Sequence, residues 1–252
     1  MKEENFGWTY IKGRGDVYGW PGGQPASRGA DGVLPGIFSS PTRMAEHLDR
    51  YFELSDKGTP RYSGSHFEWF VARARSSHAY DANRPRFNES HILAAESLSI
   101  RVPVLAVHRL LEPDGERDSL LDKCGELLSN EIDNMDLCPS AWIGAESPFS
   151  KLYNALLDMQ IKGFGGVTRS KVVAAMFPEV VPIRDSFVET LLGLENNEAW
   201  WMPIREILEE NDSAVLNCIK KLDVPERPKS LGILRRLDVI LWMEERAIRF
   251  PL

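Results

Sequence analysis

A short glycine-rich stretch, Gly163-Phe164-Gly165-Gly166, separates two apolar helical patterns and constrains the fold more than any other feature. The first pattern begins at Ser147-Pro148, and the second covers Thr168–Phe177. Glycine adopts positive φ easily and lets another backbone come close, so the sequence predicts a tight hairpin between two helices. The second helix would begin with unpaired N–H groups that suit a phosphate. Two packed helices joined by a glycine turn, with no ligand, are the alternative interpretation.

The remaining chain is predicted to be mostly α. Residues 1–40 hold nine of the nineteen glycines, which favours loops with short strands at Trp8–Ile11 and Asp16–Trp20. The expected organisation is an irregular Gly/Pro-rich segment over residues 1–60, packed on a helical body over 61–252. Apolar spacing predicts further helices from 41, 66–79, 88–98, 102–111, 112–135, 185–192, 200–210, 213–222 and 229–249.

Aromatic and basic residues alternate in the amino-terminal segment: Trp8, Tyr10, Lys12, Arg14, Tyr18 and Trp20. Such a pattern fits an arm that stacks on bases and contacts phosphates. It also fits rings that pack onto the helical body, since aromatic side chains mainly contribute burial.

The formal net charge of −7 is unevenly distributed. Residues 112–158 carry 11 acidic and 3 basic side chains, and the rest of the chain carries a net +1. The charged residues between Met159 and Pro178 are all basic: Lys162, Arg169 and Lys171. This distribution argues against a DNA-binding protein that relies on bulk charge, but it leaves a locally basic hairpin. The acidic helix over Glu112–Met135 is expected to expose its carboxylates to solvent and not to contact DNA.

Several common classes are not expected. No window approaches 18 uncharged apolar residues, and the first residues lack the apolar run of a signal peptide. The three cysteines, Cys124, Cys138 and Cys218, form neither a metal-binding pattern nor a disulfide framework. We therefore expect a cytoplasmic protein with no membrane, no metal, no cofactor and no obligate protein partner.

Asp185 follows the hairpin by 22 residues and opens the next predicted helix. Taken alone, it could simply be an N-cap. The whole string, however, resembles the helix-hairpin-helix DNA glycosylase superfamily: Gly163-Phe164-Gly165, then the helix Thr168–Phe177, then Asp185. The whole chain also resembles an uncharacterised bacterial family, domain of unknown function 6308. That resemblance lies in Tyr62–Glu68, Leu98–Pro103 and Leu231–Trp242.

The glycosylase resemblance implies a helical bundle that binds double-stranded DNA, with a hairpin over 161–177. It implies that Asp185 is catalytic. It also implies that the hairpin contacts DNA through Lys162, Gly163, Phe164, Gly165, Gly166, Thr168 and Lys171. Bifunctional relatives carry a lysine where this chain has Val167, so the resemblance implies a monofunctional enzyme that uses water. The chain has no cysteine after Cys218, so no iron–sulfur cluster is expected.

The base pocket is less sharply defined by the sequence. Candidates are Tyr62, His66, Phe67, Glu68, Trp142, Tyr153 and Gln160, and each of them could instead serve packing or the surface. Arg235-Arg236 is interpreted as a solvated face that could also meet DNA. The unusual amino-terminal segment suggests a substrate outside common DNA damage, such as a hypermodified cytosine of phage DNA excised in antiviral defence. A DNA-binding module without catalysis and a helical interaction protein are the other two hypotheses.

Overall fold

The computed structural model describes residues 9–10, 18–19, 36–77, 80–131, 147–192, 201–223 and 231–250. This part of the chain is mostly helical, as predicted. Its helices are α1 (Pro41–Phe52), α2 (Phe67–Arg75), α3 (Glu89–Ser97), α4 (Val104–Leu111), α5 (Gly115–Glu131), α6 (Pro148–Asp158), α7 (Gly166–Met176), α8 (Ser186–Leu192), α9 (Trp201–Lys221) and α10 (Ile233–Arg249). Two short strands, β1 (Thr9–Tyr10) and β2 (Tyr18–Gly19), pair antiparallel and fall within the predicted strand segments.

Side-chain caps mark several helix starts. The Ser40 hydroxyl accepts a hydrogen bond from the backbone N–H of Arg43, and the Ser147 hydroxyl accepts one from Ser150. In both helices a proline follows the cap, where its missing N–H costs nothing. Asn88 caps α3 through the N–H groups of Ser90 and His91. These local signals explain why the starts of α1, α3 and α6 could be predicted.

Helix α7 lies at the centre of the molecule. Every residue from Thr168 to Met176 is buried. Val172, Val173 and Met176 pack into the core built on α3–α6, whereas Ala174 and Ala175 pack against α2 and α3. A helix buried on all sides holds its neighbours in fixed positions, so α7 fixes where the hairpin and the segment after it lie.

The carboxyl-terminal region differs from the prediction. Residues 200–210 and 213–222 were expected to form two helices, but α9 runs without a break from Trp201 to Lys221. Asn211, Asp212 and Ser213 favour caps, yet propensity yields to packing when apolar spacing continues across them. Here Ile204, Ile207, Leu208, Val215, Leu216 and Ile219 are all buried in one core with α1, α8 and α10.

Some predictions lie outside the described residues. They include most of the aromatic and basic amino-terminal segment, the end of the acidic helix beyond Glu131, and Trp142. Within the described part of the chain, no helix combines the length and apolar character that a membrane span requires.

Candidate functional site

A cavity of about 460 Å³ opens where α1, α3, α7, α8 and α10 meet. All three segments that carry the resemblance to domain of unknown function 6308 contribute to its lining, although they are far apart in the sequence. Helix α7 and Asp185 complete the wall. The residues that contribute are Tyr51, Tyr62, Ser63, Gly64, Ser97, Leu98, Ser99, Ile100, Val167, Lys171, Ile183, Asp185, Ser186, Phe187, Arg235, Asp238 and Trp242.

Asp185 lies at the start of α8, with its side chain 17 % exposed on the cavity wall. Its Oδ1 accepts a hydrogen bond from the backbone N–H of Phe187 at 3.0 Å, so the residue does act as an N-cap. Its Oδ2 accepts a hydrogen bond from the Lys171 ammonium at 2.8 Å. Both oxygens are therefore held, and the carboxylate has a fixed orientation toward the cavity.

Lys171 corrects one part of the hairpin prediction. We expected it to contact phosphate, but its side chain is 3 % exposed and lies inside the molecule. Its Nζ donates to Asp185 and to the backbone carbonyl of Leu98, at 2.8 and 2.9 Å. Arg169 is buried as well, with its guanidinium 4.9 Å from the centre of the Tyr153 ring. Of the three basic residues that made the hairpin locally positive, Lys162 alone is exposed.

The prediction that Arg235 belongs to a solvated face is wrong, because the residue is buried and its guanidinium donates hydrogen bonds to four other residues. Its side chain is 4 % exposed. The guanidinium donates to Glu68 at 2.6 Å, to Asp238, to the Tyr51 hydroxyl at 3.0 Å and to the Gly64 carbonyl at 2.9 Å. A Cβ on Gly64 would lie 2.0 Å from the Tyr51 hydroxyl oxygen, so the close approach requires glycine.

Burial shifts the titration of the groups around Arg235. It raises the pKa of Asp238 to about 6, against the opposing effect of the Arg235 charge. It also raises the pKa of Glu68 and lifts that of Tyr51 to about 12. Two cations, Lys171 and Arg235, face three carboxylates, Asp185, Asp238 and Glu68. With all five ionised, this cavity cluster carries a net charge of −1.

Aromatic rings form another wall. Trp242 stacks on Phe187, with ring centres 5.4 Å apart and planes 14° apart. Tyr51 and Tyr62 stack at 5.3 Å and 13°, and both meet Trp242 edge-on. The cavity therefore combines flat apolar surfaces with fixed charges, an arrangement suited to a planar ligand with a polar edge.

The predicted base-pocket residues divide into four groups. Tyr62 lines the cavity. Glu68 and Phe67 lie behind it, where Glu68 binds Arg235 and the Phe67 ring lies 5.2 Å from the same guanidinium. His66, Gln160 and Tyr153 do not line the cavity. His66 and Gln160 are exposed, whereas the Tyr153 hydroxyl donates a hydrogen bond to the Gly166 carbonyl at 3.2 Å. Trp142 lies outside the described residues.

The hairpin itself has the predicted backbone. Gly163 has φ +83°, and Gly165 begins α7 without a side-chain cap. Phe164, which we expected to contact DNA, is buried in the core, so its role is packing. Thr168 is buried too, and its hydroxyl donates to the Gly163 carbonyl at 3.4 Å. Lys162, Gly163 and Gly165 are exposed, and Gly166 is half-buried.

Sequence reasoning missed Tyr51, Asp238 and Trp242. A weak signal existed for the last two, because they lie four residues apart and thus on one face of α10. Another missed feature is Ser99, which lines the cavity with φ +61°, a conformation uncommon outside glycine. Among the described residues, no group of three or more His, Cys, Asp or Glu side chains could hold a metal ion.

Comparison with known proteins gives one family. No curated protein and no solved structure matches the chain. A model described as a family of unknown function (DUF6308) matches residues 44–245, which includes every residue of the cavity lining. The chain therefore belongs to the DUF6308 family.

Proposed function

We propose that this protein is a monofunctional DNA glycosylase that hydrolyses the N-glycosidic bond of a flipped-out base. The observation that carries the proposal is the position of Asp185. It follows a glycine hairpin and the buried helix α7, and its carboxylate lies on the wall of a cavity with aromatic surfaces. The glycosylase resemblance rests on the same residues, and it assigns to Asp185 a role that this position permits.

Asp185 would stabilise the positive charge that develops on the sugar as the glycosidic bond breaks. The carboxylate is oriented before the reaction by the Phe187 N–H and the Lys171 ammonium. Preorganised charge of this kind is a large part of many enzymes' catalysis. Water would attack the sugar carbon, the bonding electrons would leave with the base, and the base would take up a proton. The net −1 of the cavity cluster favours a cationic transition state over a neutral ground state.

The aromatic wall would receive the base. A base inside duplex DNA is out of reach of an enzyme, and flipping it out costs a few kcal/mol of stacking and pairing. Apolar contact with Trp242, Tyr62 and Phe187, which all line the cavity, would offset part of that cost. The cavity volume of about 460 Å³ is within the usual range for small-ligand sites.

The hairpin would hold the DNA backbone beside the flipped nucleotide. The first turn of α7 has no side-chain cap, so its N–H groups can bind a phosphate. Lys162 is exposed on the hairpin, and Arg101 is exposed two residues before Pro103, whose ring would lie 3.3 Å from a Cβ on Gly163. Lys171 has no part in this contact because it is inside the cavity.

The ion pair of Lys171 supports water as the nucleophile. An amine attacks a sugar carbon only after losing its proton. Here Nζ is held in place by a carboxylate and a carbonyl, so it is engaged in structural hydrogen bonds and not positioned as a free nucleophile. A borohydride-trapped covalent complex between protein and DNA would contradict this assignment.

The test is base release from duplexes that carry normal, damaged or phage-type hypermodified bases, scored as alkali-sensitive sites. Asp185→Asn should lower the rate by about 10²–10³. Asparagine keeps the cap on α8 but leaves the buried Lys171 ammonium without a carboxylate partner, so the variant should be less stable than the wild type and is assayed at a temperature where circular dichroism shows it to be folded. Asp158→Asn, an equal change on the exposed end of α6, should have no effect.

Three results would contradict the proposal in whole or in part. Salt-sensitive duplex binding without release of any base would indicate a DNA-binding module without catalysis. No binding to DNA at all would favour a helical protein that interacts with other proteins. Wild-type release rates in Asp185→Asn would remove Asp185 from the mechanism.

A further inference from the structure

Helix α10 brings a ring and a carboxylate into the cavity together. Asp238 and Trp242 are four residues apart, so they lie one turn apart on the same face of the helix. Both line the cavity. A base that contacts Trp242 in this cavity would therefore lie near Asp238 as well.

Asp238 has one hydrogen-bonding oxygen left for a ligand. Its side chain is 8 % exposed, and its Oδ2 accepts from the Arg235 guanidinium. Its Oδ1 accepts no hydrogen bond from the described residues, yet it is not sealed off from solvent. In a residue of the cavity lining, that oxygen is an open acceptor.

The surroundings hold this carboxylate in place. Arg235 is itself fixed by Glu68, by the Tyr51 hydroxyl and by the Gly64 carbonyl. A carboxylate fixed in this way recognises a donor without first losing side-chain entropy. It thus has the position and the rigidity that selective recognition needs.

We propose that Asp238 reads the polar edge of the bound base and selects bases that present an amino group, as cytosine and adenine do, over their carbonyl counterparts. A carboxylate accepts hydrogen bonds and donates none, so it pairs with the amino group of cytosine but not with the carbonyl of uracil. The inference rests on the proposed function in one respect, because it takes the ligand of the cavity to be a nucleobase.

The titration of Asp238 supplies a second way to test the selection. The pKa of this carboxyl is raised to about 6, mainly by burial and further by Asp185, against the opposing charges of Arg235 and Lys171. Glu68 from α2 and Tyr51 from α1 face the same guanidinium. Above pH 6 Asp238 is an acceptor, and below it the protonated acid can also donate. The preference for amino-bearing bases should shrink as the pH falls through 6.

The experiment is equilibrium dialysis of the full chain against tritiated free bases at pH 7.5, in two pairs that differ by an amino group and a carbonyl. Cytosine should bind at least about fivefold more tightly than uracil, and adenine more tightly than hypoxanthine. In Asp238→Asn both preferences should be lost or reversed, because the amide oxygen stays on the Arg235 guanidinium and the open position becomes an N–H donor. Asp158→Asn should behave as wild type.

The wild-type protein alone provides a test that does not depend on the folding of the variant. Its cytosine-to-uracil preference should be at least halved at pH 5.0 compared with pH 7.5. A preference that survives in folded Asp238→Asn or is unchanged at pH 5.0 overturns the proposal. So does a preference of the wild-type protein for the carbonyl bases, or its failure to bind any of the four at millimolar concentration.

Failure of this inference and failure of the proposed function can be told apart. Selective binding of amino-bearing bases without base release from any duplex would contradict the glycosylase activity and support the proposed role of Asp238. Base release that depends on Asp185 but shows no preference for amino-bearing bases would support the glycosylase activity and contradict the proposed role of Asp238.

Discussion

Two sets of ion pairs in this molecule have different hydrogen-bond arrangements. Arg75 and Glu179 form a closed pair, in which each carboxylate oxygen accepts one guanidinium nitrogen, at 2.6 and 2.7 Å. In the cavity cluster, Arg235 takes one oxygen of Asp238, and the other oxygen accepts no bond from the described residues. The first pair ties the end of α2 to the loop after α7, whereas the second borders empty space.

The difference separates two uses of buried charge. A carboxylate whose two oxygens both accept from one guanidinium, as those of Glu179 do, can stabilise the fold but has no open acceptor for a ligand. In a cluster that keeps an open acceptor, burial weakens the hydrogen bonding of that acceptor to water, which costs free energy. A ligand that donates the missing hydrogen bond recovers part of that free energy. A buried charge that keeps an open hydrogen-bonding position on a cavity wall, as Asp238 does, is therefore a candidate ligand contact.

The largest expected effect comes from removing the cation at the centre of the cavity cluster. Arg235→Met should lower the free energy of unfolding by about 3–5 kcal/mol, because it leaves Glu68 and Asp238 buried without their partner. Arg75→Met should cost only about 1 kcal/mol, because the Arg75 side chain is 33 % exposed. Urea unfolding measures both, and equal losses would erase the distinction between the two sets.

The next comparison is between two lysines of the hairpin region. Lys171→Met should slow base release about 10- to 100-fold, since it removes a charged hydrogen bond from Asp185, but leave DNA affinity unchanged. Lys162→Met should do the opposite, weakening DNA binding and lowering its salt dependence by about one phosphate contact. Single-turnover release at saturating enzyme and binding titrations in salt separate the two. Weakened DNA binding by the Lys171→Met variant would indicate that Lys171 contacts a DNA phosphate after all.

His91 is a buried polar group that no ligand can reach. Its Nδ1 accepts from the Asn88 N–H, its Nε2 has no partner among the described residues, and burial lowers its pKa to about 4. The unfolded chain binds a proton near the ordinary value of 6.5, so stability falls as the pH drops from 6.5 toward 4. Asp238 acts in the opposite direction, because its pKa is raised in the folded state.

The contribution of His91 is isolated by comparing His91→Gln with the wild type. Glutamine can accept the same Asn88 hydrogen bond but does not titrate. Between pH 7 and pH 5 the variant should lose about 2 kcal/mol less stability than the wild type. Urea unfolding at the two pH values checks this, and parallel losses would show that folding does not lower the pKa of His91.

The smallest expected effect separates two glycines of the hairpin. Gly163→Ala should cost about 1–2 kcal/mol, because φ is +83° and the added Cβ would lie 3.3 Å from the Pro103 ring. Gly165→Ala should cost a few tenths of a kcal/mol, because its φ is −79° and nothing lies within 4 Å of the added Cβ. Thermal unfolding of the two variants gives the comparison, and equal losses would show that the positive φ at Gly163 is not needed.

The features that were predicted correctly from the sequence depend on contacts between residues that are close together in the chain. Ser40, Asn88 and Ser147 gave correct helix starts, because a cap and its N–H partners lie within three residues. The Gly163 turn was predicted for the same reason. The position of Asp185 at the start of a helix was predicted from the apolar pattern over 185–192.

The rest of the site depends on contacts between distant residues. Arg235 looked like a surface residue because it stands next to another arginine, but its partners Tyr51, Gly64 and Glu68 lie more than 160 positions earlier. Lys171 looked like a phosphate contact for a similar reason. The direction of a helical side chain depends on which face of the helix is buried, and a run of basic residues does not show that.

The close approach of Gly64 to Tyr51 has a consequence for laboratory evolution of this cavity. Any other residue at position 64 would place its Cβ 2.0 Å from the Tyr51 oxygen and would displace the ring that borders the ligand space. A library that randomises the cavity lining should therefore hold position 64 constant or vary it together with position 51. Paired changes, such as a larger residue at 64 with phenylalanine or leucine at 51, are the route by which the cavity could be reshaped.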